Sequence, residues 1–243
     1  MSINKPILIV TAGNTFPDIS KTQGDFGDWI AAGLGNDLPH NIVSAKALAE
    51  FPAPEELSGV VVSGSHAMVT DREDWSERLA GWLQSCVAAE LPVLGICYGH
   101  QLLAHACGGE VNANPAGLEI GTKQITLVDD ANEDLLFREL PETFPAQLIH
   151  YQSVRTLPEG ATLLAHSDIE PHQAYRIGNY AWGVQFHPEF SAVAMRGYIT
   201  QLQNKLDNPE ALLDKVEQTP SASNLLQRFA VISKARLHEL KAN

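Results

Sequence analysis

A cysteine that follows a short apolar run and stands between two glycines is the feature that most limits how this chain can fold. Residues 91–94 are Leu-Pro-Val-Leu, and residues 95–101 read Gly-Ile-Cys-Tyr-Gly-His-Gln. The apolar run predicts a buried strand, and the residues after Cys97 predict a helix. Gly95 and Gly99 leave room for a sharp turn that side-chain carbons would block. The pattern therefore predicts a strand-to-helix turn of an α/β protein, with Cys97 on the turn.

That position favours reactive chemistry at the sulfur of Cys97. The N-terminus of a helix presents free backbone N–H groups and the positive end of the helix dipole, and both stabilise a thiolate. The thiolate is the form that attacks in covalent catalysis. The alternative interpretation of Cys97 is an inert buried thiol.

A second motif contains the groups that a cysteine nucleophile needs. Residues 183–189 read Gly-Val-Gln-Phe-His-Pro-Glu, at the end of another predicted strand. Pro188 favours an extended backbone at His187, so the side chains of His187 and Glu189 project to the same side and can share a hydrogen bond. The carboxyl ends of parallel strands meet at one edge of a sheet, and we expect Cys97 and His187 to meet there. The alternative is a core histidine with no catalytic role.

The order of the predicted elements is that of a parallel α/β sheet. Strands are predicted over residues 6–10, 41–44, 59–62 and 91–96, and helices over 25–34, 71–90 and 98–106. This alternation predicts a three-layer, flavodoxin-like α/β fold with a mostly parallel central sheet. Short strand candidates over residues 123–128, 147–150, 161–165 and 173–177 predict a small β-rich excursion from that sheet, and a further strand is predicted over residues 180–186.

The C-terminal part of the chain reads as helical over residues 191–243. We predict one main domain over residues 1–195 and a C-terminal helical extension over residues 196–243 that packs on it. This extension either covers the edge of the sheet or serves as a docking surface for a partner or a second copy.

Composition narrows the classes of function. The chain has 243 residues and a net charge of −13, which argues against binding of nucleic acid or anionic membranes. Its three cysteines cannot form a disulfide framework, we expect no signal peptide, and no apolar stretch approaches ~18 residues, so we predict a cytoplasmic protein. The sequence contains no HExxH motif, no paired CxxC and no P-loop, so we expect no metal site and no cofactor.

Together, the two motifs resemble the class I, triad-type glutamine amidotransferases, above all the glutaminase domain of GMP synthase and its stand-alone relatives. The resemblance extends over about residues 5–200. It implies that Cys97 is the nucleophile, His187 the general base and acid, and Glu189 the group that orients His187. It also implies a small-molecule substrate and, as a possible partner, a separate synthetase subunit or a second copy of the chain.

The resemblance extends to the oxyanion hole, where this chain departs from the family. The backbone N–H of Tyr98 and one N–H from the loop after the third strand would hold the oxyanion. That loop usually reads Ser-Gly-Gly-Pro, but residues 63–66 here are Ser-Gly-Ser-His, so Ser65 follows Gly64 in place of a glycine. If the position needs a positive φ, a serine presents its N–H less freely. The hole would then form only on binding, or the preferred amide would differ from free glutamine.

Three further residues are assigned to substrate binding by the resemblance. Gln101 matches a position that contacts the substrate glutamine from the helix after the nucleophile. Residues 150–154, His-Tyr-Gln-Ser-Val, resemble a segment that reads roughly Ser-His-Gly-Asp-x-Val in relatives. Backbone groups near Tyr151 and Gln152 would meet the α-amino and carboxylate groups of the substrate. Tyr151 replaces a glycine, which would reshape the pocket.

The expected activity is hydrolysis of the γ-amide of glutamine, or of a γ-glutamyl compound, through a cysteinyl thioester that releases ammonia and glutamate. In one version a separate synthetase uses the ammonia, and in the other the chain acts alone as a γ-glutamyl peptidase or hydrolase. A non-catalytic relative that binds a γ-glutamyl metabolite and regulates it is the alternative from another class, left open by Ser65 and Tyr151.

Overall fold

A computed structural model describes residues 5–242, with side chains described for residues 5–239, as one large sheet between two layers of helices. The strands are β1 (Ile7–Thr11), β2 (His40–Ser44), β3 (Gly59–Val62), β4 (Val93–Ile96), β5 (Glu110–Ala113), β6 (Glu119–Leu127), β7 (Thr143–His150), β8 (Gln152–Thr156), β9 (Thr162–His166), β10 (Ala174–Ile177) and β11 (Ala181–Val184). The helices are α1 (Pro17–Gln23), α2 (Phe26–Leu34), α3 (Asp74–Ala88), α4 (Tyr98–Ala106), α5 (Ala192–Leu202), α6 (Pro209–Asp214) and α7 (Pro220–Ala242).

The sheet is parallel in one half and antiparallel in the other. Its nine strands lie in the order β2-β1-β3-β4-β11-β10-β9-β6-β7. The pairs from β2 to β11 are parallel, and the pairs from β11 to β7 are antiparallel. The three-layer α/β fold is confirmed, but the region after residue 110 is larger than a small excursion, because most of it continues the central sheet.

Alternating residues of the parallel strands build two cores, one on each face. Ile7 and Ile9 of β1 pack with α2 and α7 on one face. Leu8 and Val10 of the same strand pack with α3 and α4 on the other face. This two-sided burial explains why these strands read as continuous apolar runs rather than as alternating patterns.

Three elements were not expected from the sequence: α1, β5 and β8. Helix α1 has a single buried residue, Ile19, so it lacks the apolar repeat that signals a helix. Strands β5 and β8 pair only with each other, and their sequences are mostly polar. Such strands are specified by their partner rather than by their own pattern.

Helix α7 contributes to the main core. Ala222, Leu225, Leu226 and Phe229 are buried with residues of β1 and β3. The ring of Phe229 meets Trp182 of β11 edge to face, with 6.4 Å between ring centroids. The domain boundary expected at residue 195 falls inside α5, and the division of the chain there stays a prediction.

Candidate active site

The turn between β4 and α4 holds Cys97 in a conformation that few residues other than glycine adopt. Its φ is 50° and its ψ is −98°. A Cβ on Gly95 would lie 2.4 Å from the carbonyl oxygen of Gly99, and a Cβ on Gly99 would lie 2.4 Å from the carbonyl oxygen of Val62. Both glycines are therefore required for α4 to pack this closely on β3 and β4. Backbone strain of this kind is concentrated at functional sites.

His187 and Glu189 come to the same edge of the sheet from the strand beside β4. Strand β11 pairs in parallel with β4, and the N–H of Cys97 donates to the carbonyl oxygen of Val184 at 2.8 Å. Nδ1 of His187 lies 2.8 Å from Oε1 of Glu189, and both side chains are buried. Phe190 packs on the imidazole, with 4.2 Å between ring centroids. The expected hydrogen bond between positions i and i+2 is thus present and shielded from water.

Cys97 and His187 meet above Gly64. A Cβ on Gly64 would lie 2.8 Å from Cε1 of His187 and 3.7 Å from Cβ of Cys97. Burial lowers the pKa of His187, but the carboxylate of Glu189 and the sulfur of Cys97 outweigh burial and raise that pKa to about 10. The site therefore favours the protonated, imidazolium form of His187.

Two groups around Cys97 have hydrogen-bonding capacity that the protein leaves open. The thiol lies 3.4 Å from the carbonyl oxygen of Ile149 and donates to it. Nε2 of His187 is buried and makes no hydrogen bond of regular geometry to the described residues. The N–H of Tyr98, at the start of α4, likewise has no acceptor within the described part of the chain. A reacting group beside the sulfur could accept hydrogen bonds from both Nε2 of His187 and the N–H of Tyr98.

Ser65 fits its loop without a positive φ, so the departure from the family's glycine causes no backbone strain there. Its hydroxyl donates to the carbonyl oxygen of Ala12 at 3.1 Å and accepts from the N–H of Ala67 at 3.1 Å. A Cβ on Gly13 would lie 2.6 Å from that hydroxyl, so Gly13 gives the serine its space. Ser65 therefore ties the loop after β3 to β1.

The side chain of Gln101 is mostly engaged inside the protein. Its Nε2 donates to the carbonyl oxygen of Gln152 at 2.8 Å and to Oε1 of Gln185 at 3.0 Å. The amide protons of Gln101 thus hold the wall of the site, whereas the expectation was a contact with substrate. Nε2 of Gln152 donates to Oγ1 of Thr70 at 2.6 Å, and Tyr151 is 38% exposed at the mouth.

A buried His150–Glu119 pair supports the same wall, and the sequence interpretation had not assigned it. Nε2 of His150 lies 2.7 Å from Oε2 of Glu119, and Nδ1 lies 2.9 Å from the carbonyl oxygen of Gln152. The carbonyl of Gln152 thus accepts hydrogen bonds from both His150 and Gln101. In the sequence, only the histidine of the 150–154 segment indicated this His150–Glu119 pair. Glu119 lies about thirty residues away and belongs to no motif.

All nine residues singled out from the sequence lie at or beside one cavity of about 500 Å³. Seven of them line it: Cys97, Tyr98, Ser65, Gln101, Tyr151, Gln152 and His187. Gly64 lies under the imidazole, and Glu189 lies behind it. Within the described part of the chain, no group of three or more His, Cys, Asp or Glu side chains is arranged to hold a metal ion.

The cavity has a second wall that sequence reasoning missed. Phe16, His66, Tyr198, Leu202 and Lys205 line this side. Nε2 of His66 lies 3.3 Å from the hydroxyl of Tyr198. Burial, aided by the charge of His187, lowers the pKa of His66 against the opposing effect of Asp25. The apolar repeat of α5 was visible in the sequence, but nothing local connected it with Cys97.

Comparison with known proteins gives the context for this geometry. Residues 32–204 match the family model of class-I glutamine amidotransferases. The chain belongs to this family. The match covers both the Cys97 turn and the His187-Pro188-Glu189 motif, so the observed fold and the amidotransferase family agree.

Named relatives of this amidotransferase fall into two groups. It is 30% identical over 218 residues to gamma-glutamyl peptidase 5 of Arabidopsis thaliana, covering 88% of this chain and 86% of that one. It is 38% identical over 143 residues to one subunit of the glutamine-hydrolyzing GMP synthase of Methanocaldococcus jannaschii, covering 58% of this chain and 70% of that one. Hydrolytic cleavage of a glutamine amide fits both groups.

A solved structure agrees with this assignment. The crystal structure of a glutamine amidotransferase from Methylobacillus flagellatus superposes with a TM-score of 0.71 at 26% identity, covering 97% of this chain and 94% of that one. None of the helices in the described part of this amidotransferase has the length and apolar character needed to cross a membrane.

Proposed function

We propose that this amidotransferase hydrolyses the γ-amide bond of glutamine or of another γ-glutamyl compound through a thioester on Cys97. The observation that carries this proposal is the buried imidazole of His187, which is bonded to Glu189 at 2.8 Å and lies together with Cys97 above Gly64. A nucleophile, a base and an orienting carboxylate in this relation form a catalytic triad.

In the proposed reaction, the thiolate of Cys97 attacks the γ-carbonyl carbon and forms a tetrahedral oxyanion. His187 then donates its Nε2 proton to the departing nitrogen, so the C–N bond breaks and ammonia or an amine leaves. A water molecule, deprotonated by the now neutral His187, attacks the thioester and releases glutamate. Glu189 stabilises the imidazolium and keeps Nε2 directed at Cys97.

The proposed oxyanion hole combines the N–H of Tyr98 with an N–H of the loop at Gly64 or Ser65. Loss of one such donor typically costs about 3 kcal/mol of transition-state stabilisation. The hydrogen bonds of the Ser65 hydroxyl to Ala12 and Ala67 support a loop that is set before substrate binds. This favours a preformed hole over one that forms only with a partner.

Two versions of the activity differ in the fate of the nitrogen. The likeness to gamma-glutamyl peptidase 5 covers 88% of this chain and supports an enzyme that acts alone on γ-glutamyl compounds. The likeness to the GMP synthase subunit covers 58% of the chain and supports ammonia transfer to a separate synthetase. Glutaminase rates that rise when a synthetase is added would favour the second version.

Labelling with a glutamine-mimicking electrophile tests the proposal. Cys97 should be modified, and a γ-glutamyl substrate should protect it. Cys86 and Cys107 are controls in the same molecule, because burial raises the pKa of Cys86 to about 12 and also raises the pKa of Cys107. Mass spectrometry of the three cysteine peptides measures how far each cysteine is modified. A chain whose Cys97 reacts with a small alkylator but not with the mimic would instead support a non-catalytic γ-glutamyl-binding regulator.

Two further expectations belong to this proposal. All three cysteines are free in the structure, which supports a reducing, cytoplasmic location. A homodimer or a synthetase complex formed through residues 196–243 is open to measurement by light scattering of the purified chain, alone and mixed with a candidate synthetase.

A further inference from the structure

We infer that the α5 side of the cavity is a subsite for the leaving group, built for an apolar amine that carries a carboxylate. The substrate class is then a γ-glutamyl dipeptide with an apolar second residue. This inference rests on the proposed function, because the leaving group is defined by attack of Cys97 on a γ-glutamyl amide.

The cavity has more room than free glutamine needs. Glutamine has ten non-hydrogen atoms, which fill at most about 300 Å³ even at the roughly 30 Å³ that a water molecule occupies in the liquid. The cavity measures about 500 Å³. Ammonia, the leaving group of glutamine, does not need this additional volume, whereas an amino acid as leaving group would fill it.

The two walls differ in chemistry, and this decides which part of the substrate lies where. The wall of Gln101, His150 and Gln152 carries amides, an imidazole and backbone carbonyls. The second wall, which includes Phe16, Tyr198 and Leu202, is mostly aromatic and aliphatic. The polar wall suits the charged glutamyl group, and the apolar wall suits a hydrophobic leaving group.

The apolar wall begins beside the group that protonates the leaving nitrogen. Phe190 lies 4.2 Å from the ring of His187 and 5.0 Å from the ring of Tyr198, measured between centroids. Tyr198 in turn lies 5.1 Å from Phe16. Phe190, which lies behind the cavity lining, thus connects the two, and Tyr198 on the apolar wall lies one ring away from the imidazole that protonates the leaving nitrogen.

Lys205 ends the wall with a cation. Tyr198, Leu202 and Lys205 are spaced i, i+4 and i+7, so they follow one face of α5 and the turn after it over about 10 Å. No Asp or Glu lines the cavity, and Lys205 has no ion-pair partner among the residues that the structure describes. A free ammonium at the end of an apolar wall is suited to a carboxylate.

The proposed step uses the chemistry of Cys97 without a new reagent. The thiolate displaces the amino acid from the γ-carbonyl, His187 protonates its nitrogen, and the freed amino acid leaves along α5. Water then cleaves the thioester and yields glutamate, so the net reaction is hydrolysis of one amide bond.

Three substrates and two variants of the full chain test the inference. The substrates are γ-glutamyl-leucine, γ-glutamyl-leucinamide, which lacks the carboxylate, and glutamine. The variants are Lys205→Met and, as matched control, Lys215→Met, an exposed lysine that does not line this cavity. We expect wild type to prefer γ-glutamyl-leucine over glutamine at least tenfold in kcat/KM. Lys205→Met should lower kcat/KM for γ-glutamyl-leucine by roughly two- to fivefold, the effect of one exposed ion pair, and leave kcat/KM for the other two substrates unchanged.

Each other outcome has a distinct meaning. An equal loss on γ-glutamyl-leucine and γ-glutamyl-leucinamide, or no loss on either, would overturn the role of Lys205. Hydrolysis of glutamine without hydrolysis of either dipeptide would overturn the leaving-group subsite and leave the proposed function standing. Failure to hydrolyse all three would overturn the proposed function together with this inference.

Discussion

The proposed catalytic centre and the cavity around it are built in opposite ways. Cys97, His187 and Glu189 lie on two short segments next to adjacent strands, and each position is constrained locally by a glycine, a proline or a strained φ. The cavity walls instead collect side chains from the β1–α1 loop, the loop after β3, the β7–β8 connection and α5. The difference teaches that chemistry here is encoded in short motifs, whereas specificity is encoded in the assembly of distant segments.

The largest effect is expected when the sulfur of Cys97 is removed from the centre. Cys97→Ala should abolish hydrolysis, by at least about 10⁴-fold in kcat, because no other group can form the thioester. The fold should survive, since alanine keeps the Cβ of Cys97 and the substitution removes only one sulfur atom from a position that is 6% exposed. The checks are product release and circular dichroism, with Cys86→Ala as the control for loss of a buried thiol. Residual turnover near the wild-type rate would refute the assignment of the nucleophile.

The orienting carboxylate should come next. Glu189→Gln keeps an acceptor for Nδ1 of His187 but removes the negative charge, and we expect kcat to fall by roughly 10²- to 10⁴-fold. The charge of Glu189 raises the pKa of His187, so its loss lowers that pKa. In the proposed mechanism, activity requires protonated His187 in the free enzyme, and the alkaline limb of kcat/KM should therefore move from about pH 10 to lower pH in the variant. A pH–rate profile with an unmoved alkaline limb would contradict this account.

Gly64 connects the centre to the oxyanion loop, and Gly64→Ala tests that connection. The new Cβ would lie 2.8 Å from Cε1 of His187 and would displace a ring that Phe190 holds from another side. A small misplacement of catalytic groups costs about 10²-fold, which we expect in kcat.

Gly81→Ala is the matched control for this glycine, because Gly81 lies on α3 with no atom within 4 Å of the added carbon. It should leave kcat unchanged and stabilise the fold by up to about 1 kcal/mol. Equal kinetic effects in the two variants would show that the contact with His187 is irrelevant.

The sequence predicted the centre better than the walls for a physical reason. Gly95, Gly99 and Pro188 impose backbone geometry through their own chemistry, so their effect is visible without the fold. The role of Gln101 was not visible in this way, because its partners Gln152 and Gln185 are brought to it only by folding. The same holds for the antiparallel half of the sheet, where β6 and β7 were each predicted only in part and their long pairing not at all.

Substitution of Gln101 on the polar wall should have a moderate effect, on stability and KM rather than on kcat. Gln101→Leu leaves Oε1 of Gln185 without its donor and the carbonyl of Gln152 with His150 as its remaining donor, which costs about 1–3 kcal/mol of unfolding free energy. We expect KM to rise several-fold with little change in kcat, since the variant loosens the wall and not the triad. Gln201→Leu, an exposed glutamine on α5, is the control for unfolding by urea. A fall in kcat larger than the rise in KM would place Gln101 in the reaction itself.

The smallest effect is expected from the hydroxyl of Tyr198 on the apolar wall. Tyr198→Phe keeps the ring against Phe16 and Phe190 and removes only hydrogen bonds to Oγ1 of Thr15, at 2.9 Å, and Nε2 of His66, at 3.3 Å. Loss of about 1 kcal/mol of unfolding free energy should follow, with kcat/KM for γ-glutamyl-leucine within about threefold of wild type. Tyr180→Phe, whose hydroxyl faces Glu239 at the surface, is the matched control. A kcat reduced a hundredfold by the loss of this one hydroxyl would mean that the α5 wall takes part in proton transfer, and the contrast between an encoded centre and an assembled wall would no longer hold.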